Sequence, residues 1–126
     1  HLPHMYSPNS VVYGGTHDNE TLLGWYGDIT PEERHMVREY LWNFHDDEKG
    51  ICRNMIRLAM GSVAGRCIIP IQDYLCLGGE ARINRPSTLG INWKWRLLPG
   101  QIKDEMLEKM KEMTKLYGRL PAEKAE

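Results

Sequence analysis

The chain has 126 residues, 41% of them hydrophobic and 26% charged, an ordinary composition for one soluble globular domain. Sixteen Lys and Arg against 17 Asp and Glu leave a formal net charge of −1, without the basic field that phosphate-backbone binding needs, so no nucleic acid partner is expected. Apolar runs are only a few residues long, too short to cross a bilayer, so no membrane partner is expected either. The chain begins at His1, and no charged n-region followed by an apolar stretch is visible there. Cys52, Cys67 and Cys76 are an odd number without C-x-x-C spacing, which argues against a disulfide framework and a thiolate zinc site and suits a reducing cytoplasm.

In chain order, HLPHMYSPNS carries Pro3, Pro8 and Asn9 and reads as an irregular lead-in. Val11-Val12-Tyr13, closed by Gly14-Gly15, reads as a short buried strand. Thr30-Pro31-Glu32-Glu33 has a threonine cap, proline at the first helical position and glutamate at the third. These start a helix over about 31–44 with Met36, Val37, Tyr40, Leu41 and Phe44 on one face. A second helical pattern over about 51–64 places Met55, Ile56, Ala59, Met60 and Val63 together and stops at Gly65. Residues 67–71 read as a second buried strand ending at Gln72-Asp73, although Pro70 cannot donate to a ladder and must lie near its end. After a loop over about 78–92 and the aromatic patch Trp93-Lys94-Trp95, a last helix over about 100–117 aligns Ile102, Met106, Met110, Met113 and Tyr117. Strand, helices, strand, helix is the order of βα units in a parallel sheet. Two strands cannot bury these helices on both faces, so further strands or a second copy must complete the sheet.

Chemistry-bearing residues concentrate after the two strands. In YGGTHDNE, glycines at a strand's C-terminal end allow close approach of a ligand, and His17 and Asp18 are placed to meet hydroxyls and a developing cation. The competing reading is a tight turn in which Asp18 or Asn19 caps the next helix. Gln72-Asp73 falls on the same rim by the same logic, or Asp73 is a clamp on the neighbouring loop. Arg82-Ile83-Asn84-Arg85 with Asn92-Trp93-Lys94-Trp95-Arg96 mixes the amides, guanidinium groups and indoles that recognise sugars, while Trp93 and Trp95 also suit plain packing. His1 and His4 are three apart, but Pro3 between them and the lack of a nearby carboxylate or thiolate make loop histidines the simpler reading than a metal site. His45-Asp46-Asp47-Glu48 reads as a solvated connection rather than an acid–base pair. The methionine stripe of the last helix reads as core, and no Walker loop or G-x-S-x-G elbow occurs.

HLPHMY, SVVYGGTHDNETLLGWY and IIPIQDYLCLGGEARINRPSTLGINWKWRLL, in this order, resemble the C-terminal end of the 4-α-glucanotransferases, the amylomaltase or disproportionating-enzyme group of family 77 glycoside hydrolases. The resemblance covers most of residues 1–99. It implies an α/β fold: residues 1–126 as a single segment, the C-terminal portion of a (β/α)8 barrel, helix-rich with about two short parallel strands, the seventh and eighth. It also implies a retaining transfer of α-1,4-glucan segments between maltooligosaccharides, using an aspartate nucleophile, a glutamate acid/base and a third, stabilising carboxylate. By motif match Asp18 is that stabiliser, and His17 and Asn84 contact the sugar. No cofactor and no metal are implied, and the expected location is the cytoplasm. The sequence departs from the family pattern at Gly14, where a threonine is common, and at Ile83 and Ser87, where methionine and glycine are common.

In this family the nucleophile and acid/base precede the His-Asp pair, yet residues 1–17 contain no Asp or Glu. The chain is therefore expected to be inactive by itself, part of a larger enzyme. A non-catalytic glucan-binding or interaction module is the alternative, and self-association through exposed sheet edges is a further expectation.

Overall fold

The computed structural model describes residues 2–16 and 18–121. Two compact units are present, His1–Arg96 and Leu97–Glu126, and each is described by itself.

In the first unit a 3-10 turn (Pro3–Met5) precedes strand β1 (Val11–Tyr13), helices α1 (Leu22–Asp28), α2 (Pro31–Leu41) and α3 (Glu48–Met60), strand β2 (Arg66–Ile68), a one-turn helix α4 (Ile71–Tyr74) and a second 3-10 turn (Gly79–Ala81). The strands pair in parallel, Val11 with Arg66, Val12 with Cys67 and Tyr13 with Ile68. Parallel neighbours need a long crossover, and α1 to α3 supply it. Val12, the inward residue of β1, packs with Ala59 and Ala64, and Tyr6, Cys67 and Ile69 close around them. Both strands contribute few residues to cover: Val11, Tyr13 and Ile68 remain exposed. Among the described residues the sheet has these two strands, so each keeps one unpaired edge.

The helices follow their caps. Thr30 and Glu33 form the expected capping box, Glu33 N–H donating to Thr30 Oγ1 and Thr30 N–H to the Glu33 carboxylate. This helix ends at Leu41 rather than at 44, because Trp42 adopts a left-handed conformation (φ 52°) and the chain turns at Asn43. The Asn43 carboxamide then holds the turn through Asp46 and Asn54. Asp47 caps α3 by accepting from Gly50 N–H at 2.8 Å, which starts that helix at residue 48, earlier than its apolar pattern indicates. The run 45–48 is thus a solvated, capping connection, as its charge suggests. Ile51, Cys52, Ile56, Ala59 and Met60 give α3 its buried face, whereas Val63 lies past its end and is exposed.

The apolar side of α2 is much less covered. Val37 and Leu41 are half-buried, Met36 and Tyr40 are exposed, and the helix has no buried residue. With Leu2, Trp25 and Met55 these residues border an open apolar groove of about 400 Å³.

The second strand is shorter than the sequence suggests and stops at Ile68. Pro70 lacks an N–H for the ladder and instead serves as the N-cap of α4, so Gln72 and Asp73 sit on a helical turn rather than on the strand's end. Helix α1 has no counterpart in the sequence reading. Its cap is Thr21, which accepts from Gly24 N–H at 3.1 Å, and neither Asp18 nor Asn19.

The second unit holds α5 (Asp104–Leu116). Met106, Met110 and Met113, with Ile102 and Tyr117 flanking the helix, are half-buried as their spacing predicts, but α5 has no fully buried residue, so the stripe is not the core that the sequence suggests.

Two glycines test the packing. A Cβ on Gly65, just before β2, would stand 2.9 Å from the Pro8 carbonyl oxygen, a backbone atom that cannot swing aside, whereas one on Gly27 in α1 would meet nothing within 4 Å. Gly65→Ala is expected to destabilise by about 1–3 kcal/mol and Gly27→Ala to stabilise by about 0.5–1 kcal/mol. Urea unfolding of the two variants checks both signs.

Candidate active site

The parallel pairing puts the segment after β1 and the segment after β2 at the same end of the sheet. Gly14 N–H continues the pairing by donating to Ile68 O at 3.0 Å, and then the chain turns. Asn19 organises that turn, its Oδ1 accepting from Thr16 N–H at 2.9 Å and from Thr16 Oγ1 at 2.8 Å. His17 lies outside the described residues. Asp18 stands half-exposed at the mouth of the turn.

Asp18 is reached from the far segment by two side chains. Asn84 Nδ2 donates to its Oδ1 at 2.7 Å, and Arg82 NH2 donates to its backbone carbonyl at 2.7 Å. Arg82 is itself tied back, its Nε donating to Asn84 O at 2.9 Å and its NH1 lying 3.8 Å from Glu20 Oε2. Glu20 turns its other oxygen to Thr21 N–H at 2.9 Å, beside the cap of α1. Arg82, expected among sugar-recognising groups, thus braces the His-Asp turn. Asn84, expected on the sugar, is placed on the Asp18 carboxylate. Glu20 was not anticipated at all; the only hint is its position two residues beyond Asp18 in an otherwise polar turn.

The loop that carries Asn84 is closed by its own bonds. Trp93 N–H donates to Ile83 O at 2.6 Å, and the Asn92 carboxamide spans Arg85 N–H and Thr88. Trp93 has a left-handed backbone (φ 60°) and is 53% exposed, and Trp95 is half-buried. A cavity of about 110 Å³ runs beneath the turn, lined in part by Thr16, Glu20, Gln72, Asp73 and Arg82. The larger apolar groove of α2 lies on other residues and shares none of this chemistry.

Asp73 takes the clamp role. It is 2% exposed, and its Oδ1 accepts from Leu22 N–H at 2.9 Å, fixing the first turn of α1 from α4. Burial pushes its carboxyl above the ordinary carboxylate value, and the Leu22 hydrogen bond offsets part of that. A Cβ on Gly14 would approach Asp73 Oδ2 to 3.0 Å, so the glycine lets this carboxylate lie close under the strand's end. His4 Nδ1 pairs with Tyr40 Oη at 2.6 Å, and His1 is outside the described residues. Among the described residues no group of three or more His, Cys, Asp or Glu is gathered for a metal, and no helix is long and apolar enough to cross a membrane.

A sequence profile for 4-alpha-glucanotransferase matches residues 1–102. The chain belongs to the 4-alpha-glucanotransferase family. It is 42% identical over 123 residues to the chloroplastic/amyloplastic 4-alpha-glucanotransferase of Solanum tuberosum, covering 95% of this chain and 21% of that protein. It is 42% identical over 125 residues to the enzyme of Thermus thermophilus, covering 94% of this chain and 25% of that one. Among solved structures, amylomaltase from Streptococcus agalactiae in complex with acarbose is similar with a TM-score of 0.87 and 31% identity, over 94% of this chain and 23% of that one. The chain therefore spans about a fifth to a quarter of the length of these relatives, and the fold of its matched part is that of the corresponding part of an amylomaltase.

The Asp73 environment has a signed consequence. Its folded-state pKa is raised above the ordinary 3.8, so the folded chain holds more protons between that value and the raised one, and this group's contribution to stability falls as pH rises through that window. Asp73→Asn keeps an acceptor for Leu22 N–H and is expected to flatten the fall, whereas Asp73→Ala orphans that donor and costs about 1–3 kcal/mol. Urea midpoints across the acid range for the three proteins check it.

Proposed function

We propose that this chain is the seventh- and eighth-strand segment of a (β/α)8 catalytic barrel, and that the enzyme it belongs to transfers α-1,4-glucan segments between maltooligosaccharides with retention. Asp18 is the stabilising carboxylate. The observation that carries this reading is the Asn84–Asp18 hydrogen bond at 2.7 Å, which joins two motifs 66 residues apart and orients a half-exposed carboxylate. A carboxylate fixed before reaction, beside the place where a sugar becomes oxocarbenium-like, stabilises developing positive charge without reorganising. Arg82 holds the backbone of the same residue, and His17, its neighbour in sequence, contacts sugar hydroxyls. The acarbose bound to the Streptococcus agalactiae amylomaltase supports an α-linked oligosaccharide as the ligand class. Cys52, Cys67 and Cys76 are held as thiols rather than in disulfides, which supports a reducing, cytoplasmic location.

The reaction needs a nucleophile and an acid/base at set separation, and both belong to polypeptide that precedes the His-Asp pair in this family. Alone, the 126-residue chain is expected to leave maltotriose unchanged; disproportionation of maltotriose by the purified chain overturns the assignment. In a full-length 4-α-glucanotransferase whose matching segment is replaced by this chain, Asp18→Asn is expected to lower kcat by roughly a hundred- to a thousand-fold. Asn84→Ala should lower it less, with little change in KM. Equal kcat in the substituted and unsubstituted chimeras removes Asp18 from the mechanism.

A glucan-binding module is the second reading, favoured by the exposed Trp93 on the Asn84 loop. Tryptophan fluorescence of the isolated chain titrated with maltoheptaose separates the two. A saturable change lost in both Trp93→Ala and Asp18→Ala favours binding without catalysis, and a flat titration favours the catalytic segment.

A further inference from the structure

Away from the candidate site, two cysteines 24 positions apart meet inside the first unit. Cys52 lies on the buried face of α3, 0% exposed, and Cys76 follows the C-cap of α4, 6% exposed and with a left-handed backbone (φ 53°). Cys52 Sγ is 3.7 Å from Asp73 O, and Cys76 Sγ is 3.9 Å from Lys49 O, one turn before Cys52 on the same helix. Cys76 N–H donates to that same Asp73 O at 3.0 Å, so the Cys52 sulfur and the Cys76 backbone share one carbonyl oxygen. Its pairing with Cys52, with Arg53 and Lys49 nearby, lowers the Cys76 thiol from its ordinary value, while the same pairing and burial push Cys52 up. Cys76, the more exposed of the two and the one whose thiol is lowered, suits the attacking role, and Cys52 the resolving one.

We propose that Cys52 and Cys76 form a peroxide-oxidisable dithiol, a modification site that closes an intrachain disulfide between α3 and the end of α4. The Cys76 thiolate sulfur attacks one peroxide oxygen, the O–O bond breaks and hydroxide leaves, giving a sulfenic acid. The Cys52 sulfur then attacks the Cys76 sulfur, the S–O bond breaks, and the oxygen leaves as water with the Cys52 proton and one from solvent balancing the earlier hydroxide. In sum, two thiols lose two hydrogens and one hydrogen peroxide becomes two waters. The bridge ties down the turn that carries Asp73, because Asp73 O already touches the Cys52 sulfur. It does not depend on the glucan reading of Asp18.

The test uses the folded 126-residue chain treated with hydrogen peroxide, quenched by alkylation and mapped by mass spectrometry. The expected result is one dominant cross-linked peptide pair carrying Cys52 and Cys76, reversed by dithiothreitol, with Cys67 recovered alkylated. The urea midpoint should rise on oxidation. In Cys52→Ala no bridge should form; in Cys67→Ser the bridge should persist. Recovery of Cys52 and Cys76 as alkylated thiols or as separate sulfinic acids, or a bridge that forms only in urea, overturns the proposal. A predominant bridge to Cys67 overturns it as well.

Discussion

The parallel pairing of β1 with β2 is the constraint on which the rest of the first unit depends. Only three residue pairs define it, yet a parallel ladder obliges the chain to return to the end it started from before the second strand begins. That return consumes α1, α2 and α3 and delivers two loops to one rim. Asp18 comes from the first loop, Arg82 and Asn84 from the second, and no local sequence rule would bring them within hydrogen-bonding distance. Val12, in the middle of β1, anchors the pairing by packing on Ala59 and Ala64. The polar rim and the small core are therefore consequences of the same strand register.

Two aspartates at this rim illustrate how surroundings divide labour between identical side chains. Asp73 is fully enclosed and has its Oδ1 on a backbone N–H at the start of α1. A carboxylate so placed loses hydration and positions a helix. Asp18 keeps partial exposure and receives a side-chain amide and, on its backbone, a guanidinium. Its orientation is fixed while its carboxylate remains reachable. Arg82 connects the two arrangements, because it leans on Glu20, which itself receives the N–H of the α1 cap residue. The turn, the cap and the loop after α4 consequently behave as one polar assembly.

How much of this was legible in the sequence depended on the range of the interaction concerned. Strand Val11–Tyr13 and the capping box at Thr30 were readable, since two glycines close the first and Thr-Pro-Glu-Glu fixes the second within four residues. The face of α5 was readable because its methionines repeat at helical spacing. Helix α1 was hidden: Gly24 and Gly27 dilute its periodicity, and its stability comes from Thr21 locally and Asp73 across the fold. The end of β2 was misplaced because Ile69 and Ile71 are apolar on either side of Pro70, and composition outweighed the missing N–H. At the site, the His-Asp turn and Asn84 were legible as motifs. The brace between them was not, because Arg82 and Asn84 express their role only through a register set by residues elsewhere.

The uncovered parts of the first unit fit the same physical picture. A helix with a full apolar stripe normally buries it, yet α2 buries no residue, and the two strands leave Val11, Tyr13 and Ile68 in solvent. A short parallel sheet covered on the Val12 face and open on the other is an unfavourable isolated object, since parallel strands are stable when helices and further strands cover both faces. The interior interactions, by contrast, are fully paired: among the described residues no buried side-chain nitrogen or oxygen lacks a hydrogen-bond partner. The chain spans 21–25% of the lengths of the Solanum tuberosum and Thermus thermophilus relatives. The rim is assembled locally, and its stability as an isolated body is set by how much apolar surface it must leave in water.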